Sequence, residues 1–342
     1  MAGSKGYSFF VTFLISIAVL ILIITVSSGM GYIQVPFDKV SRIIFSLSGL
    51  AEFSENDLFK TIVLDVRLPR IITSVIVGGG LAVSGAVFQG ILLNPLADPY
   101  TLGVSAGAAF GACIAILFPV IAGTYSIPVF AFAGAISTLF FVIYLSKSSG
   151  RISSNSLILS GIIVAAILAA GISFLKYTAD DEVAVIIFWL MGSFVSKTWM
   201  DAAVAGSIVF TGILITIFYS RDLNLISLGE KSAASLGVDT SKVTLILLIT
   251  ASIMTAICVS VSGIIGFVGL LVPHIVRIIT GPDNKKLIPI SFLFGAALLL
   301  VADTVTRAVL PHEIPIGVLT ALIGGPFFCY IFKKNRIERW IS

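Results

Sequence analysis

Charge is scarce in this sequence. Asp, Glu, Lys and Arg make up 11% of its 342 residues, less than half the ~25% of soluble domains. A soluble enzyme, a disordered segment and a nucleic-acid binder are excluded together, because each needs a solvated or basic surface. The net charge of +4 is small, and loop asymmetry explains it better than a basic face does. Cysteine and histidine are scarcer still, at three and two residues. Cys113, Cys258 and Cys329 lie far apart inside apolar stretches, without the spacing of a disulfide framework or metal cluster, and fit small packing residues. His274 follows Pro273 on a helix and His312 sits in a turn beside Glu313; neither has a partner at metal-ligand spacing. No Gly-Lys dipeptide occurs, so the chain has no phosphate loop and cannot hold ATP by that route. Gly103 to Gly107 spells G-x-S-x-G, but inside an apolar helical run rather than at the strand-to-helix elbow that a serine hydrolase requires.

What the chain has is apolar length. Hydrophobic residues are 58% of it, and a spanning helix needs about 20 of them in a row. Apolar runs near 8–29, 68–92, 98–119, 125–146, 156–176, 201–220, 242–262, 264–280, 287–304 and 314–332 predict about ten spans. The first run is too long for the core of a cleaved signal and reads as a retained span. Residues 30–65 form the longest polar loop, and Val183 to Met191 is too short to cross. With the N-terminus inside, 13 Lys and Arg fall in inner segments and 8 in outer ones, which predicts both termini in the cytoplasm. The central portions of the spans carry no Asp, Glu, Lys or Arg. Ion-coupled carriers commonly place a titrating group or cation site there, so a secondary transporter of a small solute is the weaker alternative. Glycines within the spans (Gly103, Gly107 and Gly111; Gly263, Gly266 and Gly269) predict close helix contacts, within one subunit or between two.

Three segments stand out. Arg67-Leu68-Pro69-Arg70 opens the second span at its outer end and leads through Gly78-Gly79-Gly80 to Gln89. Asn94-Pro95-Leu96-Ala97-Asp98-Pro99 breaks the chain between spans two and three, as a tight turn or as unwound backbone sheltered by protein. Leu228 to Gly237 reads as a short inner helix ending at Gly237, either a solvated loop helix or one that inserts its small residues into a partner groove.

At these residues the chain resembles the FecCD-type permease subunits of ATP-binding-cassette importers for iron-siderophore complexes, haem and cobalamin. RLPR at 67–70, SGAVFQGILLNPLADPYTLGVSAGA at 84–108 and LGEKSAASLGV at 228–238 carry the resemblance. GFVGLLVPHIVRIITGPD at 266–283 and IPIGVLTALIGGPFF at 314–328 extend it, while residues 1–66 match only in character. The resemblance implies an all-α polytopic membrane protein with the type II importer fold and ten spans. It implies one permease domain over 1–342: a first span and outer loop (1–66), a core (67–332) and a basic cytoplasmic tail (333–342). It implies a multi-pass subunit of a prokaryotic cytoplasmic membrane, surrounded by lipid and paired with a second copy of itself. Two ATPase subunits, which bind the ATP and Mg, would dock inside and a substrate-binding protein outside. On that pattern Arg67, Arg70 and Arg307 meet acidic side chains of the binding protein. Asn94, Pro95 and Leu96, with Ser154 and Asn155, narrow the inner end of the pathway. Leu228, Gly229, Glu230, Ala233, Ala234, Leu236 and Gly237 form the segment that couples to the ATPase. The implied cargo is a metal chelate, ferric siderophore first and haem or cobalamin next. No cofactor, metal or catalytic residue is implied on this chain.

Overall fold

The computed structural model describes residues 2–47, 58–118, 125–148, 151–308 and 313–341; His312 lies outside them. Seven helical stretches are long and apolar enough to cross a membrane, and three shorter apolar helices bring the described candidates to the ten expected from sequence. The long ones are α1 (Ala2–Gly29), α3 (Leu58–Thr61) and α4 (Leu68–Ile91) with their joining segment, α6 (Ser126–Ser146), α7 (Ser154–Thr178), α9 (Trp199–Phe218), α12 (Thr240–Ser262) and α14 (Asn284–Ala308). The shorter ones are α5 (Val104–Leu117), α13 (Val268–Thr280) and the first part of α15 (Ile316–Ile341). Between them lie the small helices α2 (Phe37–Leu47), α8 (Val183–Leu190), α10 (Ser220–Ile226) and α11 (Glu230–Ser235). A two-rung antiparallel ladder joins β1 (Lys147–Ser148) to β2 (Arg151–Ile152).

Three spans differ from their sequence outlines. The polar loop at 30–65 is partly helical, because Val40 and Ile43 fall on one face of α2 and are buried with Val35, Val63 and Leu68. The second span accordingly begins at Leu58 and runs unbroken to Ile91. The third begins only at Val104: Pro95 and Pro99 deny helix donors to the stretch before it, and Gly103 takes a left-handed conformation as the N-cap. The basic tail does not leave the last helix, which continues to Ile341.

The second span changes pitch on its way in. Helix α3 (Leu58–Thr61) passes into a π-helical segment, Ile62–Arg67, and then into α4 (Leu68–Ile91). In that segment the Leu68 N–H donates five residues back to the Val63 carbonyl. The corresponding donor for the Leu64 carbonyl would be residue 69, which is proline and has none. Trp199 fills the gap, its indole Nε1–H donating to Leu64 O at 3.1 Å. A capping box between Thr198 and Asp201 starts α9 at that tryptophan and sets its position.

Helix α4 is the hub, packed by α9, α12, α13 and α14. Its glycines allow backbone-to-backbone approach: a Cβ at Gly78 would lie 2.3 Å from the Gly295 carbonyl oxygen, and one at Gly85 only 1.8 Å from that of Gly269. Gly107 and Gly111 do the same for α5 against Gly134 and Phe130 of α6, so these faces pack within the subunit. Several buried hydroxyls donate along their own helices, as Thr138 to Gly134 O, Thr216 to Gly212 O and Thr255 to Ala251 O do, while those of Thr73, Ser84, Ser252 and Ser291 have no hydrogen-bond partner among the described residues.

Candidate functional site

Two assemblies of polar and irregular structure sit at opposite ends of the bundle, and a third element lies at the same end as the second. The first gathers around Asp303 on α14, which is 1% exposed. Arg70 grips it with a forked contact, Nη2 at 2.8 Å and Nε at 3.0 Å from Oδ1, and Arg307 Nε stands 3.5 Å from Oδ2. Such a buried carboxylate persists only because it is paired and hydrogen-bonded. Arg307 and Arg67 then reach the end of α1, whose last carbonyls lack helical partners. Arg307 donates to Met30 O and Ser27 O, each at 2.5 Å, and to Ser27 Oγ at 2.6 Å. Arg67 donates to Ser28 O at 2.7 Å and to Ile33 O. Cations at a helix C-terminus also complement its dipole.

This geometry refines the sequence expectation of three outward arginines. Arg67 and Arg307 are buried and turned inward, holding α1 against α4 and α14. Arg70 alone reaches the rim, where its Nη1 meets the half-exposed carboxylate of Glu313 at 3.2 Å. Asp303 was legible beside Arg307 by its i, i+4 spacing; Glu313 has no local signal linking it to Arg70.

The second assembly is the break after α4. The Asn94 side chain accepts from Leu96 N at 2.9 Å, an Asx turn that starts the bend. Leu93 and Leu96 are left about half exposed. Ser154, in the first turn of α7, donates to Ile91 O at 3.3 Å, so the structure brings Ser154 and Asn155 to the same end as Asn94, Pro95 and Leu96. The rest of the break is sheltered by protein, as irregular backbone in a bilayer must be. Asp98 Oδ1 accepts from Tyr100 N at 2.7 Å. The Tyr100 hydroxyl donates to Ile265 O at 2.7 Å and accepts from Ile265 N at 3.3 Å, serving both backbone groups of a residue in the second break, between α12 and α13. Sequence reading missed Tyr100, since a side chain that serves remote backbone leaves no pattern. Nearby, Arg277 of α13 donates to Gln89 Oε1 at 3.0 Å while Gln89 Nε2 donates to Leu270 O at 3.2 Å, bracing α4 to α13.

The third element is α11. Gly229 at its start and Gly237 beyond its end have φ of +115° and +87°, conformations that side chains resist. Gly237 N donates to Ala234 O and Val238 N to Ala233 O, the paired bonds of a Schellman end. One residue of this helix faces inward: Ala233 is fully buried. Ala234 is exposed, and Leu228 and Leu236 are 74% and 65% exposed on either side of it. A cleft of about 660 Å³ opens beside Ala234, lined by Glu230 and Asp239 and by Lys147, Lys231 and Lys242. Among the described residues, no group of three His, Cys, Asp or Glu could hold a metal ion.

Comparison with known proteins gives this arrangement a context. The chain is 42% identical over 287 residues to the cobalamin import system permease protein of Halobacterium salinarum, covering 84% of this chain and 77% of that one. It is 39% identical to the hemin transport system permease protein of Yersinia pestis, over 88% of this chain and 92% of that one. The Fe(3+)-citrate import system permease protein of Bacillus subtilis is 38% identical, with 94% of each chain covered. A solved structure described as an inward-facing conformation of a metal-chelate type ABC transporter superposes with a TM-score of 0.83 at 33% identity, covering 94% of this chain and 98% of that one. The profile of the FecCD transport family matches residues 18–334, reaching well into the first span, where the motifs gave no match. Its members named here are transport subunits of ABC importers, not enzymes. This multi-pass membrane protein belongs to the FecCD transport family.

Proposed function

We propose that this permease carries a bulky metal chelate inward across the cytoplasmic membrane of a prokaryote, along a pathway between two copies of the chain. The observation that carries the proposal is the cargo named for three of its relatives: cobalamin, hemin and ferric citrate permeases match it at 38–42% identity over most of their length, ahead of a molybdate permease at 36%. All three are metal complexes with organic ligands, and the lack of charge at mid-span suits a path that passes them without gripping them. Both termini face the cytoplasm on this reading.

Two ATPase subunits bind and hydrolyse ATP on the cytoplasmic side, and each seats the segment from Leu228 to Gly237. Leu228, Glu230, Ala234 and Leu236 meet the ATPase; Ala233 anchors the helix to the permease; Gly229 and Gly237 shape its ends. Asn94, Pro95, Leu96, Ser154 and Asn155 narrow the inner exit. On the outside a substrate-binding protein offers carboxylates to Arg70, on a platform built by Arg67 and Arg307. The permease does its work by being stable in two states whose populations its partners shift.

The test is transport by proteoliposomes containing the permease and its ATPase, with the binding protein loaded in turn with cobalamin, haemin and a ferric siderophore. ATP-dependent accumulation of one chelate is expected. Accumulation without the ATPase, abolished by a protonophore, would overturn the proposal in favour of an ion-coupled carrier.

A further inference from the structure

The guanidinium of Arg70 lies between two unequal carboxylates. Asp303 is fixed within α14 and 1% exposed, and it takes Nε and Nη2. Glu313 is 48% exposed and takes Nη1 alone, at 3.2–3.3 Å. An exposed single-point pair of this kind is worth about 1 kcal/mol or less, whereas breaking the buried pair would strand a charge. A carboxylate arriving from outside therefore competes with Glu313 and not with Asp303.

The place for such a group already exists. An outer cavity of about 290 Å³ is lined by Arg70, Asp303 and Glu313 on its charged side and by Phe188, Phe194 and Pro315 on its apolar side. Glu313 also heads a short strap into α15. Ile316 N donates to Gly192 O at 3.1 Å and Gly317 N to Met191 O at 3.0 Å. Ser193 N in turn donates to Ser262 O at 2.8 Å. The residue facing Arg70 is thus tied, through a few backbone bonds, to the ends of α8 and α12.

We infer that Glu313 is a built-in competitor for the docking partner's carboxylate. When the binding protein's acid enters the cavity it takes Nη1 of Arg70, Glu313 leaves, and the strap at the head of α15 is freed to shift against Met191 and Gly192. This rests on the docking reading above. It makes the docked and undocked states differ at a residue of the permease itself, with Arg70 paired in both.

The experiment compares wild type with Glu313→Gln in the assembled importer in nanodiscs, by direct binding of its cognate substrate-binding protein. Removing the competitor is expected to tighten binding about three- to fivefold at low salt, with the gain shrinking as salt rises. The gain is expected to vanish in the Arg70→Gln background. Glu182→Gln, which removes the same charge from an exposed outer turn, is expected to give none. Unchanged or weaker binding by Glu313→Gln, or an equal gain from Glu182→Gln, overturns the inference and leaves the docking reading intact. A wild-type importer that does not bind the protein at all overturns both.

Discussion

The first and second spans are built on opposite principles. Helix α1 is the more apolar of the two, yet only 6% of its membrane-length window is buried inside the protein; for the stretch from Leu58 to Ile91 the figure is 83%. In water the ranking would be reversed. In a bilayer, lipid chains receive leucine and isoleucine as readily as a protein core does, so apolarity does not report burial. What reports it is the residues lipid cannot use. The second span carries Gly78, Gly79, Gly80, Gly85 and Gly90, with Thr73, Ser74, Ser84 and Gln89, all buried, while α1 is largely Leu, Ile, Val and Phe. Close backbone approach, not greasiness, makes the hub.

That contrast can be broken by substitution. The largest effect is expected from Gly85→Val, because the new side chain meets the Gly269 backbone, which cannot swing aside. A loss of about 3 kcal/mol or more, or no folded protein in detergent, is expected by thermal unfolding; wild-type stability would show that α4 and α13 do not pack this way. Trp199→Phe sharpens the comparison by removing one bond from the hub while keeping the ring. It orphans the Leu64 carbonyl and is expected to cost about 1 kcal/mol in the same assay. The smallest effect belongs to α1: Leu22→Ala, at a 62% exposed position, is expected to change stability by about 0.5 kcal/mol or less. A loss there as large as that of Trp199→Phe would place α1 inside a protein interface instead of against lipid.

Much of the fold is legible in the sequence, because length and apolarity define spans whatever their neighbours. The errors have physical causes. The amphipathic α2 reads as loop in the sequence because its polar face supplies Asp38, Lys39 and Arg42 to a segment that also buries Val40 and Ile43. The outline of the third span from residue 98 is too long because Tyr100 and Leu102 are there to pack around a break, not to continue a helix. At the candidate sites the arginines, the proline-bracketed turn and the short inner helix were all visible as motifs. Their orientations were not: whether Ala233 or Ala234 faces the interior depends on which neighbouring elements cover α11. The same holds for Arg67 and Arg307, whose targets are carbonyls at the end of another helix.

Pro69 withholds a hydrogen, and a ring on a distant helix lends one back. The two side chains are therefore bound by epistasis. Any ordinary amino acid at position 69 restores the absent donor and leaves the indole at position 199 idle, so a homologue that has lost the proline has no need of the tryptophan. One that has kept the proline must find another lender.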